Sequence, residues 1–135
     1  MLVQTGLLFI AFVGYASTSI AVYEAKVGDR VLLDLGTDVV TWKRVRDSGV
    51  PEFIKYCGPT EKGPRCAQFV GEDNKPAQPE SNAHVASNGT LIIDPLKATD
   101  VGLYSNADAK PIEHKNPDGS VSGVLSVHIS LVLKE

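Results

Sequence analysis

Of the 135 residues, only 2 are cysteine, 3 histidine, 1 tryptophan and 1 methionine. His84, His114 and His128 are far apart, and two cysteines are too few for a metal centre. No metal or other cofactor is therefore expected. Helical periodicity is also missing. Beyond the first 21 residues, no segment repeats apolar side chains at 3.6-residue spacing over three turns. A basic excess is absent: 13 Lys and Arg stand against 16 Asp and Glu, for a net charge of −3. That removes the electrostatic case for nucleic acid or an anionic membrane surface. No Gly-rich phosphate loop opens a helix, and no nucleophile elbow surrounds Ser105 or Ser120. The expectation is a protein that is not an enzyme.

One apolar block is present, at the N-terminus. The first 21 residues carry no charged side chain, and Leu7 to Ala16 is a short apolar run. Ser19 and Ala21 stand at −3 and −1 of a cleavage site before Val22. This pattern predicts a signal peptide over residues 1–21 and secretion of a domain over 22–135. Ten apolar residues are too few to span ~30 Å of hydrocarbon. No later run reaches that length, so no membrane insertion is expected. Leu131-Val132-Leu133 ends in Lys134-Glu135, as a strand would, and not as a lipid-anchor signal does.

The rest reads as short strands. Val31, Leu33 and Leu35 alternate after a turn at Lys26–Asp29. Val39 to Val45 is a second run, and contains Trp42. Glu52–Cys57 and Arg65–Val70 are two more, joined by the Gly/Pro-rich tip Gly58–Pro64. Gly71–Asn82 and Ala107–Ser120 read as surface loops. His84–Ser87 is a short strand. Leu125, Val127, Ile129, Leu131 and Leu133 form the clearest period-two pattern in the chain. About eight strands with frequent turns predict an all-β, antiparallel sandwich.

The most informative stretch is Asn88 to Asn106. Asn88-Gly89 is a turn dipeptide, Thr90–Ile93 a buried strand, and Pro95 a ladder breaker. Asp100, Gly102 and Tyr104 then alternate. The series Leu91, Ile93, Leu96, Asp100, Gly102, Tyr104, together with Trp42, resembles the E strand, E–F corner, F strand and strand C tryptophan of immunoglobulin-like domains of V or I type. The resemblance implies a tyrosine corner at Tyr104 and a structural role for Asp100 as corner cap or partner of a basic side chain. It also places Leu35 and Asn106 where that family carries its inter-sheet cysteines. The gap from Leu35 to Trp42 is shorter than the family pattern.

An exported protein lets Cys57 and Cys66 pair across the hairpin, with two free thiols as the alternative. Such a ten-residue loop contributes ~2.7 kcal/mol in the chain-entropy model, against ~4.4 kcal/mol for a bond joining positions 35 and 106. Packing of Leu35 beside Trp42 is then expected to offset the missing core bond. Pairing of the cysteines sets Phe53 opposite Val70 and Lys55 opposite Gln68 on one side. On the other, Ile54 faces Phe69 and Tyr56 faces Ala67. One side goes to the core, and the other is a contact surface or lies under the loop Gly71–Asn82. Lys43, Arg44 and Arg46 form a basic patch matching an acidic partner, or a solvated strand edge. Asn88-Gly89-Thr90 is an N-glycosylation sequon in an exposed turn.

Two functions follow as expectations. The first is a secreted binding or adhesion protein acting through its G-F-C-C′ sheet, with Lys43, Arg44, Arg46, Tyr56 and Phe69 as contacts. Its partner would be an extracellular or cell-surface protein, or a second copy. The second is a secreted inhibitor or defence effector that probes its target with Glu61, Lys62 and Arg65 of tip 58–65.

Overall fold

A computed structural model describes residues 18–36, 39–108, 112–115, 117 and 121–134. Ten strands occur among them: β1 (Thr18–Ala25), β2 (Val31–Leu33), β3 (Thr41–Val45), β4 (Pro51–Lys55), β5 (Val70–Gly71), β6 (Ala83–Val85), β7 (Leu91–Ile93), β8 (Gly102–Asn106), β9 (Ile112–Lys115) and β10 (Val121–Leu133). The chain divides into two compact units. One comprises Ile20–Ala109 with Val127–Glu135, and the other Met1–Ser19 with Lys110–Ser126. In the second, β9 pairs with the first part of β10, with a register shift between Val121 and Gly123. The segment expected as a loop over Ala107–Ser120 therefore holds a strand.

The first unit is built from two sheets. The larger has the order β1-β10-β8-β3-β4-β5, and the smaller the order β2-β7-β6. The antiparallel register brings Trp42 opposite both Ile54 and Asn106, and Arg44 opposite both Glu52 and Tyr104. Residues directly opposite share a face. The core accordingly takes Trp42, Ile54, Tyr104, Ile129 and Leu131 from the larger sheet, and Val31, Leu33, Leu91 and Ile93 from the smaller. β1 joins the larger sheet, which leaves β2 as an edge of the smaller one.

Two local expectations are corrected. β2 stops at Leu33, which is fully buried, while Leu35 is only partly buried against the core. The cause is a turn: the Asp34 carboxylate accepts the Gly36 N–H at 2.7 Å, and a short acceptor of this kind competes with ladder pairing. At the second of the family's cysteine positions, Asn106 ends β8 half-buried, and its Oδ1 accepts the Asp108 N–H at 2.9 Å. Between the cysteines and β5, Arg65–Phe69 do not extend the ladder. Phe53 does face Val70, but the Lys55 N–H donates to Arg65 O at 2.8 Å instead of pairing opposite Gln68. Cys57 and Cys66 are joined, with Cα atoms 5.5 Å apart, and the Gly/Pro-rich tip folds back within that short ring.

Asp100 and Tyr104 tie the turn Ala98–Asp100 to β8. The Tyr104 hydroxyl donates to Asp100 O at 2.5 Å, and Asp100 Oδ2 accepts the Lys97 N–H at 2.8 Å. Gly102 is required between them: a Cβ there would lie 2.6 Å from Val45 O. Burial pushes the Tyr104 hydroxyl up to about 12, against the opposing pull of the Arg44 charge. The unfolded chain would ionise this tyrosine near pH 10. The neutral, folded form is therefore fully favoured below pH 10, and stability falls as pH rises from about 10 to about 12. Urea titrations should show a loss of about 2–3 kcal/mol over that window. Tyr104→Phe should remove that component of the alkaline slope; an unchanged slope would refute the assignment.

Candidate functional site

The alternation that sends Trp42 inward also sends Arg44 inward. Arg44 is fully buried. Its Nε donates to Glu52 Oε1 at 2.8 Å and its Nη1 to Ser81 Oγ at 2.8 Å. Asp100 Oδ1 lies 3.6 Å from the same Nη1, and Ser81 donates to that carboxylate. Nη2 has no acceptor among the described residues. The guanidinium lies on the Phe69 ring, 3.8 Å from its centroid, where the negative face of the ring attracts it. Arg46 reaches Glu52 Oε2 at 2.8 Å and Thr99 O at 3.0 Å. This network joins β3, β4, the corner before β8 and the segment before β6. It is structural.

That placement corrects the basic patch. Arg44 is inside, and the Arg46 side chain is nearly so. Phe69 is buried beneath Arg44, and Tyr56 packs half-buried against the core. Of the five expected contact residues, only Lys43 stands on the outward side of the larger sheet. The side of the hairpin that carries Ile54 and Phe69 was taken by the core, which leaves Phe53 and Lys55 facing outward. The signal that identifies them is the two-residue period itself, counted from Trp42 across the strand pair.

The outward face can be traced by register. One row runs His128, Ser105, Lys43 and Phe53 and ends at Val70, which is itself buried; the next runs Ser130, Leu103, Val45, Pro51. Phe53 is half-buried near the middle of the β3–β4–β5 part. The Arg65 guanidinium covers its ring, 4.4 Å from the centroid. Lys55, opposite Thr41, donates to Glu61 Oε2 at 2.5 Å. On the outward positions of β3, β4, β8 and Val127–Leu133, no described residue is acidic. A cleft of about 330 Å³ opens beside β4, lined by Lys55, Glu61, Lys62, Arg65 and Asn74 among others. A second cleft, of about 280 Å³, lies at Arg46–Ser48 and Ala98–Val101, but Arg46 is already committed to Glu52 and Thr99. Among the described residues no three His, Cys, Asp or Glu side chains gather as metal ligands would.

A strand order with β10, β8, β3, β4 and β5 in one sheet and β2, β7 and β6 in the other defines a class. It is the G-F-C-C′-C″ and B-E-D arrangement of a variable-type immunoglobulin-like sandwich. The Tyr104 corner belongs to the same architecture. No family model matches the chain, and no curated protein matches it. Among solved structures, it is similar to the extracellular fragment of novel immune-type receptor 10 from Ictalurus punctatus. The two are 14% identical, over 84% of this chain and 97% of that one, with a TM-score of 0.44.

Proposed function

We propose that this chain is an exported recognition domain that binds another extracellular protein through the outward face of its larger sheet. The observation that carries this is Phe53: an aromatic side chain on a sheet face, with Lys43, Lys55 and Arg65 around it and no acidic neighbour on the described outward positions of the strands. A large apolar group set among polar ones is what a contact patch requires. Binding is favoured over catalysis because the buried carboxylates Glu52 and Asp100 are occupied by Arg44, Arg46 and Ser81. The tip 58–65 is a poorer candidate for an inserted probe. Its Glu61 and Arg65 are turned back onto Lys55 and Phe53.

Screening residues 22–135 against extracellular domains, itself included, should return a saturable partner. Phe53→Ala should weaken that partner about 30-fold or more, as a buried aromatic anchor does. Wild-type affinity in Phe53→Ala would remove the sheet face from consideration.

Export and glycosylation belong to the same proposal. Removal of residues 1–21 leaves Tyr23 and Ala25, the β1 side chains that pack on the core. Asn88 is exposed in its turn, with Oδ1 accepting the Thr90 N–H at 3.0 Å. Mass spectrometry of the product secreted by animal cells should find Val22 first and a glycan on Asn88. A product beginning at Met1, or an unmodified Asn88, would count against the respective claim.

A further inference from the structure

The cleft beside β4 gathers cationic side chains on an acidic protein. This inference rests on the sheet-face reading above and adds a chemistry to it. The chain as a whole is acidic, at −3, yet Lys55, Lys62 and Arg65 meet at one cleft with a single carboxylate, Glu61. That carboxylate is not part of a strand. It comes from the disulfide-closed tip and reaches over to Lys55. Lys55 holds it in the ionised form, its hydrogen bond drawing the Glu61 carboxyl below the usual range. The pair is solvent-exposed, with 30% of the Lys55 side chain and 45% of the Glu61 side chain accessible. Exposed pairs of this kind add little to stability and exchange readily.

We propose that this cleft receives a carboxylate of an acidic protein segment, and that Glu61 occupies the position in the unbound protein. Binding replaces one carboxylate on Lys55 by another. Arg65 remains on Phe53 and presents its edge to the incoming chain, while the Phe53 ring supplies the apolar contact beside it. An acidic peptide satisfies both features, because it brings a carboxylate and an aliphatic stem together. A sulfated glycan satisfies the charges and leaves Phe53 without an apolar counterpart. Lys62, on the rim, steers the approach of an anion and adds salt dependence.

The test uses a capped hexaglutamate peptide titrated into residues 22–135 by fluorescence anisotropy, with a heparin hexasaccharide in parallel. Glu61→Gln removes the competing carboxylate at nearly constant size, and should tighten hexaglutamate about fivefold. Lys55→Gln should weaken it about tenfold, and 0.5 M salt should weaken both proteins' binding. Unchanged or weaker binding in Glu61→Gln overturns the proposal, as does binding of heparin without binding of hexaglutamate. The protein partner found by screening separates the two levels. If Phe53→Ala abolishes its binding while Lys55→Gln and Glu61→Gln leave it unchanged, the acidic docking site is refuted and the sheet face stands. If Phe53→Ala has no effect on it, the sheet face itself is refuted.

Discussion

Arg44→Met is expected to lower stability by about 3–5 kcal/mol, read as a shift of the urea midpoint. The methionine fills much of the same volume, so cavity formation is a minor cause. The loss arises because two buried carboxylates are left with too little positive charge. Asp100 would keep Ser81 and the Lys97 N–H, and Glu52 would keep Arg46. These remaining partners place the expected value toward the lower end of the range. Arg44→Lys should recover only part of the loss. An ammonium is a point donor, whereas the guanidinium reaches Glu52 and Ser81 from different nitrogens while its face lies on Phe69. A midpoint for Arg44→Met within about 0.5 kcal/mol of wild type, the range of ordinary surface substitutions, would show that the network is not charged and closed as described.

Trp42→Ala is expected to cost a similar amount, about 3–5 kcal/mol, because it opens a cavity in the centre of the sandwich. Trp42 is fully buried, and its Nε1–H donates to Gly89 O at 2.8 Å, which fastens the turn before β7 to β3. Trp42→Phe separates the two contributions. It keeps most of the apolar volume and leaves the Gly89 carbonyl unpaired, for about 1–3 kcal/mol. In antibody domains, which share this sandwich architecture, such a tryptophan packs on a disulfide between the sheets. Here the single disulfide closes a local ring at Cys57 and Cys66, so the aromatic core and the Arg44 network connect the sheets instead. Equal midpoints for Trp42→Phe and wild type would mean that the Gly89 bond contributes nothing.

Local chemistry made much of this molecule readable from the chain. The Asn88-Gly89 turn, the alternation of β10, the stop at Pro95 and the spacing of Asp100, Gly102 and Tyr104 all act within a few residues, so backbone sterics and side-chain period suffice to identify them. The pairing of Cys57 with Cys66 is local in the same sense. Even the inward direction of Arg44 was encoded, two residues from Trp42. It was obscured because a cation next to Lys43 reads as surface until a buried carboxylate is known to face it.

What only the tertiary structure decided is which side of each two-sided strand met the core. Glu52–Tyr56 carries apolar groups on both sides, and a period of two is indifferent to which is chosen. The choice is made by long-range pairing: Arg44 opposite Glu52, Asp100 brought to them across the corner, and Phe69 laid over the guanidinium. That set is worth burying only when all its members arrive together, because an isolated charge inside costs more than any local preference returns. With that set inside, Ile54 and Phe69 face inward as well. Phe53, Lys55 and the Glu61 carboxylate were left outside, and with them the surface on which recognition is proposed.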